Sequence, residues 1–128
     1  MFAALVFMIT IPPVVGLTKE NNRDKMKKVM ENTTPAERAD IQTNLMGATL
    51  SLSDEQAEHI NAINLKYAKK VGEIYNSQGS KFRKFWKMRK LGNDKDQELK
   101  SVLSNEQYEK YEKIKKEIRD KTMEKLQQ

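Results

Sequence analysis

Two stretches 51 residues apart open a helix in the same way, and that repetition constrains the fold more than any other feature. Leu52-Ser53-Asp54-Glu55-Gln56 and Leu103-Ser104-Asn105-Glu106-Gln107 share Leu, Ser, Glu and Gln in register, and a further Glu follows two residues after each Gln. A serine hydroxyl at the N-cap accepts from the third backbone N–H of the helix, while a glutamine at that third position reaches back to the N–H of the cap. The leucine before each serine is placed to staple against the fourth helical residue, Ala57 in one copy and Tyr108 in the other. Leu52, Ser53, Gln56, Leu103, Ser104 and Gln107 are therefore read as helix-capping residues rather than as ligands.

The apolar spacing downstream agrees. Ile60, Ile63, Tyr67, Val71 and Ile74 follow the first start, and Tyr108, Tyr111, Ile114, Ile118 and Leu126 follow the second, at intervals that keep them on one helical face. A third start, Thr34-Pro35-Ala36-Glu37, combines a cap, a proline at the first position and a carboxylate at the third, and opens a helix to about Leu50 with Ile41, Leu45 and Ala48 on one side. No stretch of useful length alternates with period two. The expectation is an all-α protein, small and elongated, built from about four helices in hairpins.

Composition removes most catalytic chemistry. The 128 residues include no cysteine, which excludes disulfides, thiolate metal sites and cysteine nucleophiles, and the 5 glycines and 3 prolines form no phosphate loop or nucleophile elbow. A single histidine, His59, has Glu55 one turn away but no second histidine to share a metal. Met26 and Met30 are one turn apart, but no other soft ligand joins them. The reading is a protein that is not an enzyme and uses no metal and no cofactor.

The chain divides unevenly. Residues 1–16 carry no charge and run MFAALVFMITIPPVVG, too short for a spanning helix and broken by Pro12-Pro13. An apolar run of this length with Val14 and Gly16 ahead of a cut reads as an export signal, and a retained anchor is the second reading. Residues 17–33 are polar and crowded with charge, with Met26, Val29 and Met30 at helical spacing but uncapped, and are expected to be a linker or a frayed helix, with disorder as the first reading. Residues 34–128 form the helical domain.

The charge is not spread evenly. Lysines and arginines total 24 against 18 acids, a formal net charge of +6. Lys81, Arg83, Lys84, Lys87, Arg89 and Lys90 lie within ten residues that hold no acid, so the rest of the chain is neutral. Phe82, Phe85, Trp86 and Met88 are interleaved with them. At about 100° per residue the apolar four fall on one side of a helix, with Arg83, Lys84, Lys87 and Lys90 largely opposite. Gly92-Asn93-Asp94 is expected to interrupt this helix. Two readings of the segment stand: aromatics packed as core with lysines as a wet face, or a surface that attracts acidic, partly unfolded chains and holds their apolar patches.

At the paired L-S-x-x-Q motifs the chain resembles the Spy/CpxP family of periplasmic helical proteins, whose recurring motif is L-T-x-x-Q. Serine here replaces threonine and keeps the hydroxyl. The resemblance covers about residues 33–128, and the two motifs sit closer together than in well-known members, which shortens the middle helix pair. It implies helical hairpins that dimerise into a thin curved cradle, and an ATP-independent chaperone or envelope-stress role in the periplasm. The implied partners are unfolded or envelope proteins and a second copy of the chain. Lys81, Phe82, Arg83, Lys84, Phe85, Trp86, Lys87, Arg89 and Lys90 are the candidate binding residues. An envelope scaffold or adaptor, with this helix on an anionic membrane surface, is the alternative, and nucleic-acid binding ranks last because the remaining charge is balanced.

Overall fold

Caps at Thr34, Ser53, Ser80 and Ser104 decide where four helices begin, and the computed structural model, which describes residues 18–128, shows each of these made. At Thr34 the hydroxyl accepts from Glu37 N–H at 3.2 Å while Glu37 Oε2 accepts from Thr34 N–H at 2.7 Å. Ser53 with Gln56 and Ser104 with Gln107 repeat the arrangement. Five helices result: α1 (Thr18–Asn32), α2 (Pro35–Leu50), α3 (Asp54–Asn76), α4 (Lys81–Val102) and α5 (Asn105–Leu126). No strand occurs among the described residues, so the protein is all-α.

The helices pack as antiparallel hairpins. Helix α3 lies against α2 on one side and α4 on the other, α5 lies against α2, and α1 rests on α5. One continuous core joins Met46 and Leu50 of α2, Ile60 of α3, Leu99 of α4, Leu103 at its C-cap, and Tyr111 and Ile118 of α5. Leu45, Leu52, Ile63, Val102, Tyr108 and Ile114 pack around it. All of these residues lie near the two repeated motifs, so the core occupies one end of the α3–α4 hairpin. Tyr111 also ties α5 to α4: its hydroxyl donates to Asp96 Oδ1 at 2.8 Å, and Lys115 Nζ reaches Asp96 Oδ2 at 3.1 Å. Burial and that carboxylate hold the Tyr111 hydroxyl well above the usual phenol range.

Three expectations are corrected. Residues 17–33 are not a disordered linker over their described length, because Thr18–Asn32 is helical. Tertiary contacts hold it: Val29 is buried, and Arg38 Nη1 donates to the Thr33 carbonyl at 2.9 Å just past the helix end. Gly92-Asn93-Asp94 does not interrupt α4. A lone exposed glycine costs about 1 kcal/mol in a helix, and Met88 and Leu91 before it and Lys95 and Leu99 after it are half-buried or buried, so packing carries α4 across it. On α2 the buried face is Ala39, Thr43, Met46 and Leu50, whereas Ala48 is exposed. The export signal or anchor expected over residues 1–16 lies outside the described residues.

A polar layer sits between α2 and α3. Thr43 Oγ1 lies 2.8 Å from the Ala39 carbonyl and 3.0 Å from Asn61 Oδ1, one of which takes its proton, and it accepts from buried Asn64 Nδ2 at 3.0 Å. At the neighbouring α2–α4 contact, Lys95 Nζ donates to Gln42 Oε1 at 2.8 Å. No carboxylate among the described residues lies within ion-pair distance of that ammonium, and its burial pushes its pKa down to about 8. The folded value is below the unfolded 10.5, so the protonated lysine opposes folding in full below pH 8, and stability rises as pH passes from 8 toward 10.5. Lys95→Met is expected to stabilise the fold at pH 7 by about 1–3 kcal/mol. Urea unfolding at pH 7 and pH 10 checks this: the gain shrinks at the higher pH, and a loss of stability at pH 7 contradicts it.

Candidate functional site

Two places bear the residues singled out in the sequence. The first is the junction of the repeated motifs. Gln56 and Gln107 face each other and exchange amide hydrogen bonds: Gln56 Nε2 donates to Gln107 Oε1 at 2.8 Å, and Gln107 Nε2 donates to Gln56 Oε1 at 3.1 Å. Each oxygen also accepts from the N–H of its own cap, Ser53 at 3.1 Å and Ser104 at 2.9 Å. The remaining protons cross over. Gln56 Nε2 reaches the Val102 carbonyl at the end of α4, and Gln107 Nε2 reaches the Leu50 carbonyl at the end of α2. Both amides are thus fully used, and the two helix-to-helix junctions are stitched together with pseudo-twofold symmetry.

The capping role of Ser53, Gln56, Ser104 and Gln107 is therefore seen directly, and Leu103 is buried in the core with Leu52 packed beside it. The glutamine pairing itself was absent from the sequence reading. Each motif carries a glutamine with hydrogen-bonding capacity beyond its own cap, but neither says which group takes it up.

The second place is the far end of the α3–α4 hairpin, beyond the core. No apolar residue between Tyr67 and Leu99 is buried. Asn76 ends α3, Gly79 takes φ +140 in the turn, and Ser80 caps α4 through its hydroxyl, which accepts from Arg83 N–H at 3.2 Å. Helix α4 turns Lys84, Met88 and Leu91 toward α3, where each is half-buried, and Lys84 Nζ donates to the Tyr75 carbonyl at 3.2 Å.

The aromatics point the other way. Phe82 is 72% exposed, Phe85 56% and Trp86 51%. They hold one another edge to face, with ring centroids 6.0 Å apart for Phe82–Trp86 and 5.6 Å for Phe85–Trp86. The Arg89 guanidinium lies 6.0 Å from the Trp86 ring centre. Lys81, Arg83, Lys87 and Lys90 are exposed on either flank. The structure thus favours the surface reading over the core reading for the three rings. Of the nine candidate binding residues, eight form an exposed ridge, and Lys84 instead faces α3. Met88, grouped with the aromatics by spacing, also belongs to the α3 side.

The other chemistry-bearing residues remain scattered. His59 is exposed on α3, and Met30 sits beside Gly72 while Met26 is exposed. Among the described residues no three His, Asp or Glu side chains are grouped as metal ligands, and no helix is long and apolar enough to cross a membrane. A family model described as a domain of unknown function, DUF4890, matches residues 19–111. No curated protein and no solved structure matches the chain.

Proposed function

The chain belongs to the DUF4890 family, and we propose that it is a chaperone-like helical protein of the cell envelope, acting without ATP through the ridge on α4. The observation that carries this reading is the placement of three large aromatic side chains in solvent on the segment that holds the whole charge surplus. A contiguous apolar patch rimmed by charge marks an interaction surface on a soluble domain. Cations draw in acidic, unfolded chains from a distance, and the rings then cover their apolar side chains. The likeness of the two motifs to those of Spy/CpxP proteins and the apolar residues 1–16 support a periplasmic setting. Dimerisation is part of the same proposal, since thin helical hairpins bury little area for their length.

The mature protein at equimolar ratio or above is expected to slow aggregation of a denatured acidic client, measured by light scattering. Phe82→Ser combined with Phe85→Ser and Trp86→Ser is expected to remove most of that effect while leaving the helix content intact. Unchanged aggregation with the wild-type protein sinks the reading. Mass photometry of the same mixtures reports the oligomer and the captured client together.

A further inference from the structure

The shape of the ridge assigns it a ligand beyond client polypeptides. We infer that the first half of α4 docks on an anionic phospholipid surface, lying flat with Phe82, Phe85 and Trp86 in the interface and the flanking cations among the headgroups.

The argument begins with where the rings sit. Phe85, Arg89, Phe82 and Trp86 span an arc of roughly 100° around α4, and the axial distance from Phe82 to Arg89 is about 10 Å. Helix α3 packs on the opposite side of α4, through Lys84, Met88 and Leu91. Nothing else among the described residues covers the arc, as the exposures of the three rings show. The surface presented is a convex rib on one helix. An extended polypeptide laid on such a rib touches it on one side only, whereas a bilayer interface deforms around it and encloses each ring.

Residue types follow the same logic. Rings of this size settle at the level of the headgroups, and tryptophan is enriched there. Lysine and arginine stems lie along apolar surface and carry their charges outward to phosphate. Here Lys81 flanks the arc on one side and Arg83, Lys87 and Lys90 on the other, which is the cross-section of a helix lying in an interface. Charge selects the lipid. The ten residues from Lys81 to Lys90 hold six cations and no acid, and the first acid along α4 is Asp94. Anionic headgroups complement that field, and zwitterionic ones do not. A second copy of the chain is a poor occupant, because two identical cationic ridges repel.

This inference does not depend on client capture, and Trp86 separates the two. It is the only tryptophan in the chain, so its emission reports the ridge alone. The protein is mixed with vesicles of phosphatidylcholine, or of phosphatidylcholine with phosphatidylglycerol, then floated on a density gradient, and Trp86 emission is read in parallel. Flotation is expected to be at least roughly tenfold greater with the anionic vesicles at low salt, with a blue shift of Trp86 and protection from an aqueous quencher. Arg83→Glu with Lys87→Glu is expected to abolish flotation. Phe82→Ser with Phe85→Ser is expected to leave only weak binding that salt removes. Circular dichroism confirms that both variants keep the wild-type helix content, as exposed positions allow.

Absence of flotation overturns the inference, and so does equal flotation on the two vesicle types. Binding that salt removes from the wild-type protein, with no Trp86 shift, also overturns it, since that is charge adhesion without insertion. A protein that slows client aggregation but does not float keeps the chaperone-like reading and loses this one. One that floats but leaves aggregation unchanged does the reverse.

Discussion

Gln107→Ala is expected to lower the stability of the fold by about 2–3 kcal/mol, far more than loss of a helix cap alone. The alanine removes an acceptor from Ser104 N–H and a donor to the Leu50 carbonyl, and it takes one of two partners from each polar end of the Gln56 amide, which keeps only Ser53 N–H and the Val102 carbonyl. A cap in isolation is worth about 1 kcal/mol, so the excess measures the stitch between the two junctions. Gln56→Ala is expected to behave alike, through Ser53 and Val102. The double variant is expected to cost about 1 kcal/mol less than the sum, because the first substitution already breaks the shared amide pair. Gln107→Glu is the sharper probe. A carboxylate still accepts from Ser104 N–H, but it cannot donate to the Leu50 carbonyl and sets oxygen against Gln56 Oε1. Urea unfolding of the four variants reads all of this. If Gln107→Glu matches the wild type, the pair contributes nothing beyond capping and the account fails.

That pair also shows where the sequence is legible and where it is not. The caps at Thr34, Ser53 and Ser104 are local chemistry, with every partner within three residues, and the helix starts they imply are the ones observed. The glutamine contact joins residues from two helices, and nothing in either motif says that the other lies beside it. Helix α1 is illegible for the same reason, since Val29 is buried and Arg38 bonds its end through contacts from beyond its own segment. Gly92 is a breaker only locally, and the half-buried and buried residues from Met88 to Leu99 carry α4 across it.

For the ridge, the periodicity gave two faces but not their assignment. A helix with rings on one side and lysines on the other is expected to turn its rings inward. Here α3 takes the side with Lys84, Met88 and Leu91, each half-buried there. The long lysine stem lies along the contact and places its ammonium on the Tyr75 carbonyl, so an inward lysine costs little. The rings are left in water by the packing of the neighbouring helix, which is a property of the fold and not of the segment.

Leu99→Ala is expected to cost about 3–4 kcal/mol, which brings a domain of this size close to unfolding at 37 °C. Leu99 is fully buried and joins α4 to the cluster of Met46, Ile60, Leu103 and Tyr111, so the truncation leaves a cavity that four helices must collapse together to fill. Trp86→Ser, earlier in the same helix, is expected to change stability by less than about 0.5 kcal/mol, as an exposed position does. Thermal unfolding followed by circular dichroism compares the two directly, since neither measurement needs the tryptophan. Hydrogen exchange is expected to show the same division within one continuous helix: amides of Lys81–Leu91 exchange through local opening, and those around Leu99 only through global unfolding. Equal sensitivity of the two halves would mean that the rings are part of the core, and both binding readings of the ridge would fall. The predicted contrast has a simple cause. Leu99 and its partners hold α4 in place at one end, so the other end stays helical while its aromatic face remains free for a ligand.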